Sequence, residues 1–299
     1  MTQATKSGQG FGIAVALGAA VCFGLANTIA GVAYAGGSDP TSVSGSRFVL
    51  PILILAAFAY LRKIPLALPR REAAWALALG VITALYTLAL LSAINLLPVG
   101  IAILVFYLFP ILTAFIAAIM GWVPLGLRTA GAAVVALAGL TFALGVRIED
   151  YDPWGISLSA LGALGLAIVS AVSGRVIANS DPMRATFYMA VGALIPLLFV
   201  VFAAGGFNRP ESQTGWLGLV FTNIFYAFAM IGYFVAIGRV GAPMTTTLSN
   251  LEPLVAITAA FLLLGQSLAP LQLAGAAVVV GALIFAAYPR RVAAEAASS

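Results

Sequence analysis

The sequence predicts an all-α integral membrane protein, ten transmembrane helices arranged as two inverted five-helix repeats. Three observations carry this expectation. Of the 299 residues, 63% are hydrophobic and 8% charged, with a mean hydropathy of +1.11. A soluble domain carries roughly 25% charged residues, so this chain has too little polar surface to cover itself in water. Ten apolar windows of about bilayer length follow one another with short links. The chain also repeats itself at an offset of 141–144 residues, about half its length.

In order, the windows are 11–34, 42–61, 73–95, 99–122, 127–146, 154–177, 183–204, 214–238, 242–264 and 270–288. Polar residues or Pro and Gly bound each of them. The first contains Ala33-Tyr34-Ala35, which resembles a signal-peptidase site, but it is about twice the length of a signal h-region and reads as an uncleaved helix. Windows three and four, and windows eight and nine, nearly touch, and Pro98 and Pro243 mark these tightest links. No link is long enough to fold as a soluble domain.

Arginine and lysine orient the chain. With the N-terminus inside, Lys6, Arg62, Lys63, Arg70, Arg71, Arg128, Arg175, Arg184, Arg239, Arg290 and Arg291 fall on the cytoplasmic side. Arg147 and Arg209 fall outside, together with Asp39, Glu149, Asp150, Asp152 and Glu211. The bias follows the positive-inside rule and places both termini in the cytoplasm.

The repeat is carried by ordered matches. Ser38-Asp39-Pro40 recurs as Ser180-Asp181-Pro182, Trp75 as Trp216, Phe109-Pro110 as Glu252-Pro253, and "GAAVV" at 131–135 recurs at 275–279. Each half, 1–150 and 151–299, holds an odd number of spans, so the second copy enters the membrane upside down. Inverted repeats are typical of secondary transporters, whose site lies near the midplane where the halves meet. Two stripes of small residues, Gly12, Ala16, Ala20, Gly24 and Ser159, Ala163, Ala167, Ala171, predict close helix contacts within the bilayer.

Several chemistries are disfavoured. The chain has no His, which removes His-based catalysis, HExxH zinc sites and His proton relays together. Cys22 is the single cysteine, so no intramolecular disulfide forms. No phosphate-binding GxxxxGK[ST] loop is present. The sequence therefore predicts neither an enzyme nor a cofactor or metal site. The expected partners are a small-molecule substrate and lipid, not nucleic acid, and a monomer suffices.

Glu252 is the costliest residue in the ninth window, about ten residues deep. A mid-bilayer acid costs on the order of 2.5–3.5 kcal/mol on insertion scales, so it faces a cavity or a partner. Pro253 lacks an N–H and frees the carbonyl of Ser249, and Ser249 and Asn250 add polar groups at the same depth. Three readings stand open for Glu252: backbone satisfaction at a kink, binding of a substrate amine, and proton coupling. Arg47, some six residues inside its span, reads first as a snorkelling side chain, with carboxylate recognition or a gating pair as alternatives. Mid-span Asn27, Tyr86, Phe106, Tyr107, Ser170, Asn223, Tyr226 and Tyr233 complete the candidate set, with Pro110 and Pro253 as helix breaks. Trp75, Trp122, Trp154 and Trp216 lie near span ends, as an interfacial belt requires.

These features together resemble the drug/metabolite transporter superfamily, and within it the EamA-type exporters. The segment "VGAPMTTTLSNLEPLVAITAAFLLLGQSLAPLQLAGAAVVVGALIFAAY" at 240–288 carries the likeness most closely: a small-Pro start, Glu-Pro, a Leu-rich run ending in Gly, and a Gly-rich final helix. The first half departs from it, with Phe109 where the second half has Glu252. The resemblance implies export of amino acids and related metabolites across a bacterial inner membrane, most like the aromatic amino acid exporters. The alternative is efflux of hydrophobic or cationic drugs. Phosphorylated substrates are disfavoured because Arg47 is the only basic residue well inside a span.

Overall fold

A backbone in hydrocarbon must satisfy its own hydrogen bonds, which leaves helices as the solution for these apolar windows. The computed structural model describes residues 3–122, 151–176, 181–240 and 248–287, with isolated positions at 131, 134–136, 138, 139, 142 and 245. The helices are α1 (Gln3–Ala35), α2 (Pro40–Arg47), α3 (Val49–Arg62), α4 (Arg70–Leu96), α5 (Val99–Phe106), α6 (Phe109–Ile119), α7 (Pro153–Val176), α8 (Pro182–Ala203), α9 (Gln213–Val240), α10 (Glu252–Leu264) and α11 (Pro270–Ala287). Among the described residues seven spans are long and apolar enough to cross a membrane, and two shorter apolar helices follow. At 27 residues, α4 is about 40 Å long, which exceeds the hydrocarbon core. The fifth expected span, 127–146, and the start of the ninth lie outside the described residues apart from isolated positions.

Two expected spans are broken rather than continuous. The fourth divides into α5 and α6 at Tyr107-Leu108, and the ninth restarts as α10 after a turn at Asn250-Leu251. The prolines explain both restarts. Pro110 and Pro253 each sit in the first turn of the second segment, where an N–H has no intrahelical partner. Each second segment then closes on a left-handed glycine, Gly121 (φ 69°) and Gly265 (φ 65°). The second span also pauses, with Phe48 between α2 and α3.

The sequence repeat has a local structural meaning. Asp39 caps α2 by accepting from the Ser42 N–H at 2.6 Å, with Pro40 at the first helical position. Asp181 caps α8 by accepting from the Arg184 N–H at 3.0 Å, with Pro182 in the same place. Such caps stabilise a helix by about 1 kcal/mol each. Trp75 on α4 and Trp216 on α9 are both well exposed on the outer surface of the bundle.

Packing crosses between halves. Helix α1 lies along α9 and α10, while α7 lies along α4 and the α5–α6 pair. The two stripes of small residues are what allow this. Ala16, Ala20, Ser159, Ala163 and Ala167 are fully buried. A Cβ on Gly24 would stand 2.9 Å from Val255 and 3.0 Å from the Glu252 carbonyl oxygen. Helices α4 and α8 cross still more closely, since a Cβ on Gly192 would lie 2.4 Å from the Leu77 carbonyl oxygen. At one end, the Gly36 carbonyl accepts from the Glu211 N–H at 2.8 Å, tying the α1–α2 turn to the α8–α9 link.

Candidate functional site

The breaks in the fourth and ninth spans meet inside the bundle. Pro253 leaves the Ser249 carbonyl without its usual helical donor, and the Tyr107 hydroxyl supplies one at 2.6 Å. The same hydroxyl lies 2.9 Å from Glu252 Oε2. A tyrosine hydroxyl has a single hydrogen, so two acceptors face one proton. Tyr107 is 1% exposed and Glu252 6%, so neither is served by bulk water.

The other carboxylate oxygen, Oε1, accepts from Asn27 Nδ2 at 3.0 Å. The orientation of that amide is fixed by its second partner. Arg47 Nη1 stands 3.0 Å from Asn27 Oδ1, and a guanidinium has donors only, so the amide oxygen must face it. Arg47 Nη2 also donates to the Ala26 carbonyl at 3.2 Å and to Thr222 Oγ1 at 3.1 Å. Thr222 in turn donates to the Ala26 carbonyl at 2.6 Å. The guanidinium carbon lies 4.7 Å from the centre of the Tyr226 ring, within cation–π range.

Arg47 corrects an expectation. It does not snorkel: its side chain is 1% exposed and held among α1, α2 and α9. The pause at Phe48 leaves Arg47 as the last residue of α2, packed under Tyr226. Among the described residues no carboxylate forms an ion pair with it; Glu252 is reached only through Asn27. Among the described residues, Arg47 Nε and Asn250 Oδ1 are buried without a hydrogen-bond partner.

Around this polar chain stand the aromatic rings. Tyr226 packs edge-on against Phe23 at 5.9 Å and Phe48 at 5.2 Å, and Tyr233 lies 6.2 Å from Phe23. On the other side, Phe106 contacts Tyr86 at 6.2 Å and Tyr107 at 6.3 Å. Asn223 sits one step away, donating to Ser46 Oγ at 3.0 Å. Ser249 donates its own hydroxyl back to the Thr245 carbonyl at 2.9 Å.

The structure thus brings together Asn27, Tyr107, Ser249, Glu252 and Tyr226, with Asn250 buried at the same break and Tyr86 and Tyr233 among the flanking rings. Ser170 is not brought in; it lies on α7, where its carbonyl accepts from Ser173. Tyr107 serves as a hydrogen-bond donor as well as a wall; its acceptors, the Ser249 carbonyl and Glu252, were not legible in the sequence. Thr222, Phe23 and Phe48 also escaped sequence reasoning. A buried threonine or phenylalanine in an apolar span carries no local signal of its own. A surface groove of about 530 Å³ runs between α4 and α7, lined by Leu85, Ser92, Asn95 and Trp154, away from Glu252.

The EamA-like transporter family model matches this chain twice, over residues 10–145 and 153–288. The chain is 25% identical over 250 residues to YedA of Escherichia coli K12, an uncharacterised inner membrane transporter, spanning 82% of this chain and 80% of YedA. It is 26% identical over 270 residues to a WAT1-related chloroplastic protein of Arabidopsis thaliana, over 84% of this chain and 64% of that one. A solved crystal structure superimposes with a TM-score of 0.65 at 21% identity, covering 96% of this chain and 99% of its own, which shows a shared fold. With both halves matched across the helical bundle, the chain is a multi-pass membrane protein that belongs to the EamA-like transporter family.

Proposed function

We propose that this transporter exports amino acids, aromatic and other neutral ones, across a bacterial inner membrane by alternating access between its two repeats. The observation that carries the reading is the buried polar chain at the paired helix breaks. Broken helices near mid-membrane are where transporters of this architecture place their sites. Here the break gathers an acid, a base, amides and tyrosines, most of them neutral groups, with rings on both sides.

Such a site suits a small solute with a polar head and an apolar body. Asn27, Tyr107, Ser249, Asn250 and Glu252 supply polar contacts; Tyr86, Tyr226 and Tyr233 supply walls, with Ser170 and Asn223 further along the path. Apolar walls discriminate weakly, about 1–3 kcal/mol per methylene, so the transporter is permissive. The repeats divide near residue 150, both termini are cytoplasmic, and one chain forms the pathway. Because the cluster is closed in this conformation, loading requires the seam between α1, α5–α6 and α10 to open.

Counterflow in proteoliposomes with a panel of the twenty amino acids, a quaternary ammonium compound and a sugar phosphate tests the proposal. Several neutral amino acids, aromatic ones among them, are expected to exchange. Exchange confined to the quaternary ammonium compound would identify a drug efflux carrier instead. Exchange confined to the sugar phosphate would overturn the site chemistry altogether.

A further inference from the structure

We infer that the Asn27 carboxamide occupies the place of a substrate's α-amino-acid head group, with Arg47 as the carboxylate-binding residue and Glu252 as the ammonium-binding residue. This inference rests on the amino acid reading above and adds the polarity of the bound head group. Asn27 presents its acceptor oxygen to Arg47 and its donor nitrogen to Glu252, each at 3.0 Å. A zwitterion has the same polarity, an anionic acceptor beside a cationic donor. From standard bond lengths, the two amide atoms lie about 2.3 Å apart, against about 2.7 Å from an α-nitrogen to the nearer carboxylate oxygen. The head group therefore fits between the same two partners once α1, which carries Asn27, gives way.

The unpartnered atoms fit the same ligand. Arg47 Nε is a buried donor with no acceptor among the described residues, at the end of the polar chain that calls for an anion. Asn250 Oδ1 is a buried acceptor with no donor among the described residues, on the break two residues before Glu252. Buried polar groups are rarely left unpaired. A carboxylate offers two oxygens and can engage a guanidinium with two parallel bonds, using Nε as well as an Nη. An ammonium offers three hydrogens, enough for Glu252 and Asn250 together. The Arg47 end is flanked by Tyr226, Phe48 and Phe23, which places an aromatic side chain against rings when the head group is seated. The charge also fits: Arg47 is a buried cation that no carboxylate among the described residues contacts directly, so an anion there gains a direct partner.

Competition against radiolabelled L-phenylalanine, on the purified full chain, tests this with four unlabelled probes. L-phenylalanine should compete at least tenfold better than L-phenylalaninamide, phenethylamine or 3-phenylpropionate, each of which lacks one charge or both partners' match. Arg47→Gln should weaken L-phenylalanine at least tenfold and leave phenethylamine unchanged. Glu252→Gln should weaken L-phenylalanine and phenethylamine at least tenfold and leave 3-phenylpropionate unchanged. Phenethylamine or the amide competing as well as L-phenylalanine in the unmodified protein would overturn the head-group assignment while leaving amino acid transport intact; this arm needs no variant to fold. An equal loss for every probe in Arg47→Gln would likewise overturn it in favour of a structural arginine. No binding of L-phenylalanine at all, with a quaternary ammonium compound bound, would overturn both this inference and the transport reading.

Discussion

Replacing Tyr107 by Phe removes one oxygen from the seam between the halves. That oxygen satisfies the Ser249 carbonyl at 2.6 Å, which Pro253 has deprived of its helical donor, and contacts Glu252 Oε2 at 2.9 Å. Tyr107 is 1% exposed, so water does not take its place in the closed state. Leaving a buried acceptor unserved costs about 1–3 kcal/mol. The cost falls on the closed packing of α5 against α10, because an opened seam lets water reach the carbonyl. A bias of about 1–3 kcal/mol changes a two-state equilibrium roughly 5–150-fold. The assay is thiol labelling of Asn250→Cys in a Cys22→Ser background, reconstituted in lipid. Asn250 is buried, so its labelling rate reports the open population. The rate should rise within that range when Tyr107→Phe is added. An unchanged rate would refute the claim that the hydroxyl holds the two half-spans together.

Three further outcomes are expected. Glu252→Gln keeps the shape and hydrogen-bonding capacity of the side chain but not its charge, so transport should fall severely while the protein inserts and purifies normally; unchanged transport between pH 5 and 8 would return Glu252 to a structural role. Gly192→Leu should abolish accumulation of folded protein, because even a Cβ there would meet the Leu77 carbonyl at 2.4 Å; normal yield and a monodisperse elution profile would show that α4 and α8 can separate at little cost. Single cysteines at 64 and 128 should label only from the cytoplasm and one at 150 only from outside, and cytoplasmic labelling at 150 would reverse the orientation.

By itself the sequence determined the solvent of this protein and the rhythm of its spans, because hydrocarbon thickness and backbone satisfaction act on stretches contiguous in the chain. The same holds for the repeated signals. Asp39-Pro40 and Asp181-Pro182 are helix starts, and Gly121 and Gly265 helix stops, through bonds to residues only a few positions away. Glu252 with Pro253 was legible as a polar break for that reason too. The partners of the break were not. Asn27, Arg47, Tyr107 and Thr222 come from separate helices, and only the packing of α1 against α9 and α10, and of α5 against α10, brings them within hydrogen-bond reach of one another or of Glu252. Arg47 is the clearest case. Its depth along the chain suited a snorkelling side chain, but the tertiary structure offered it two carbonyl or hydroxyl acceptors, an amide and a tyrosine face inside the bundle. Nor could the sequence say how the first half answers Glu252 when Phe109 stands at the matching position. The answer is Tyr107, two residues earlier, whose hydroxyl reaches the acid because the break between α5 and α6 turns its ring toward the other half.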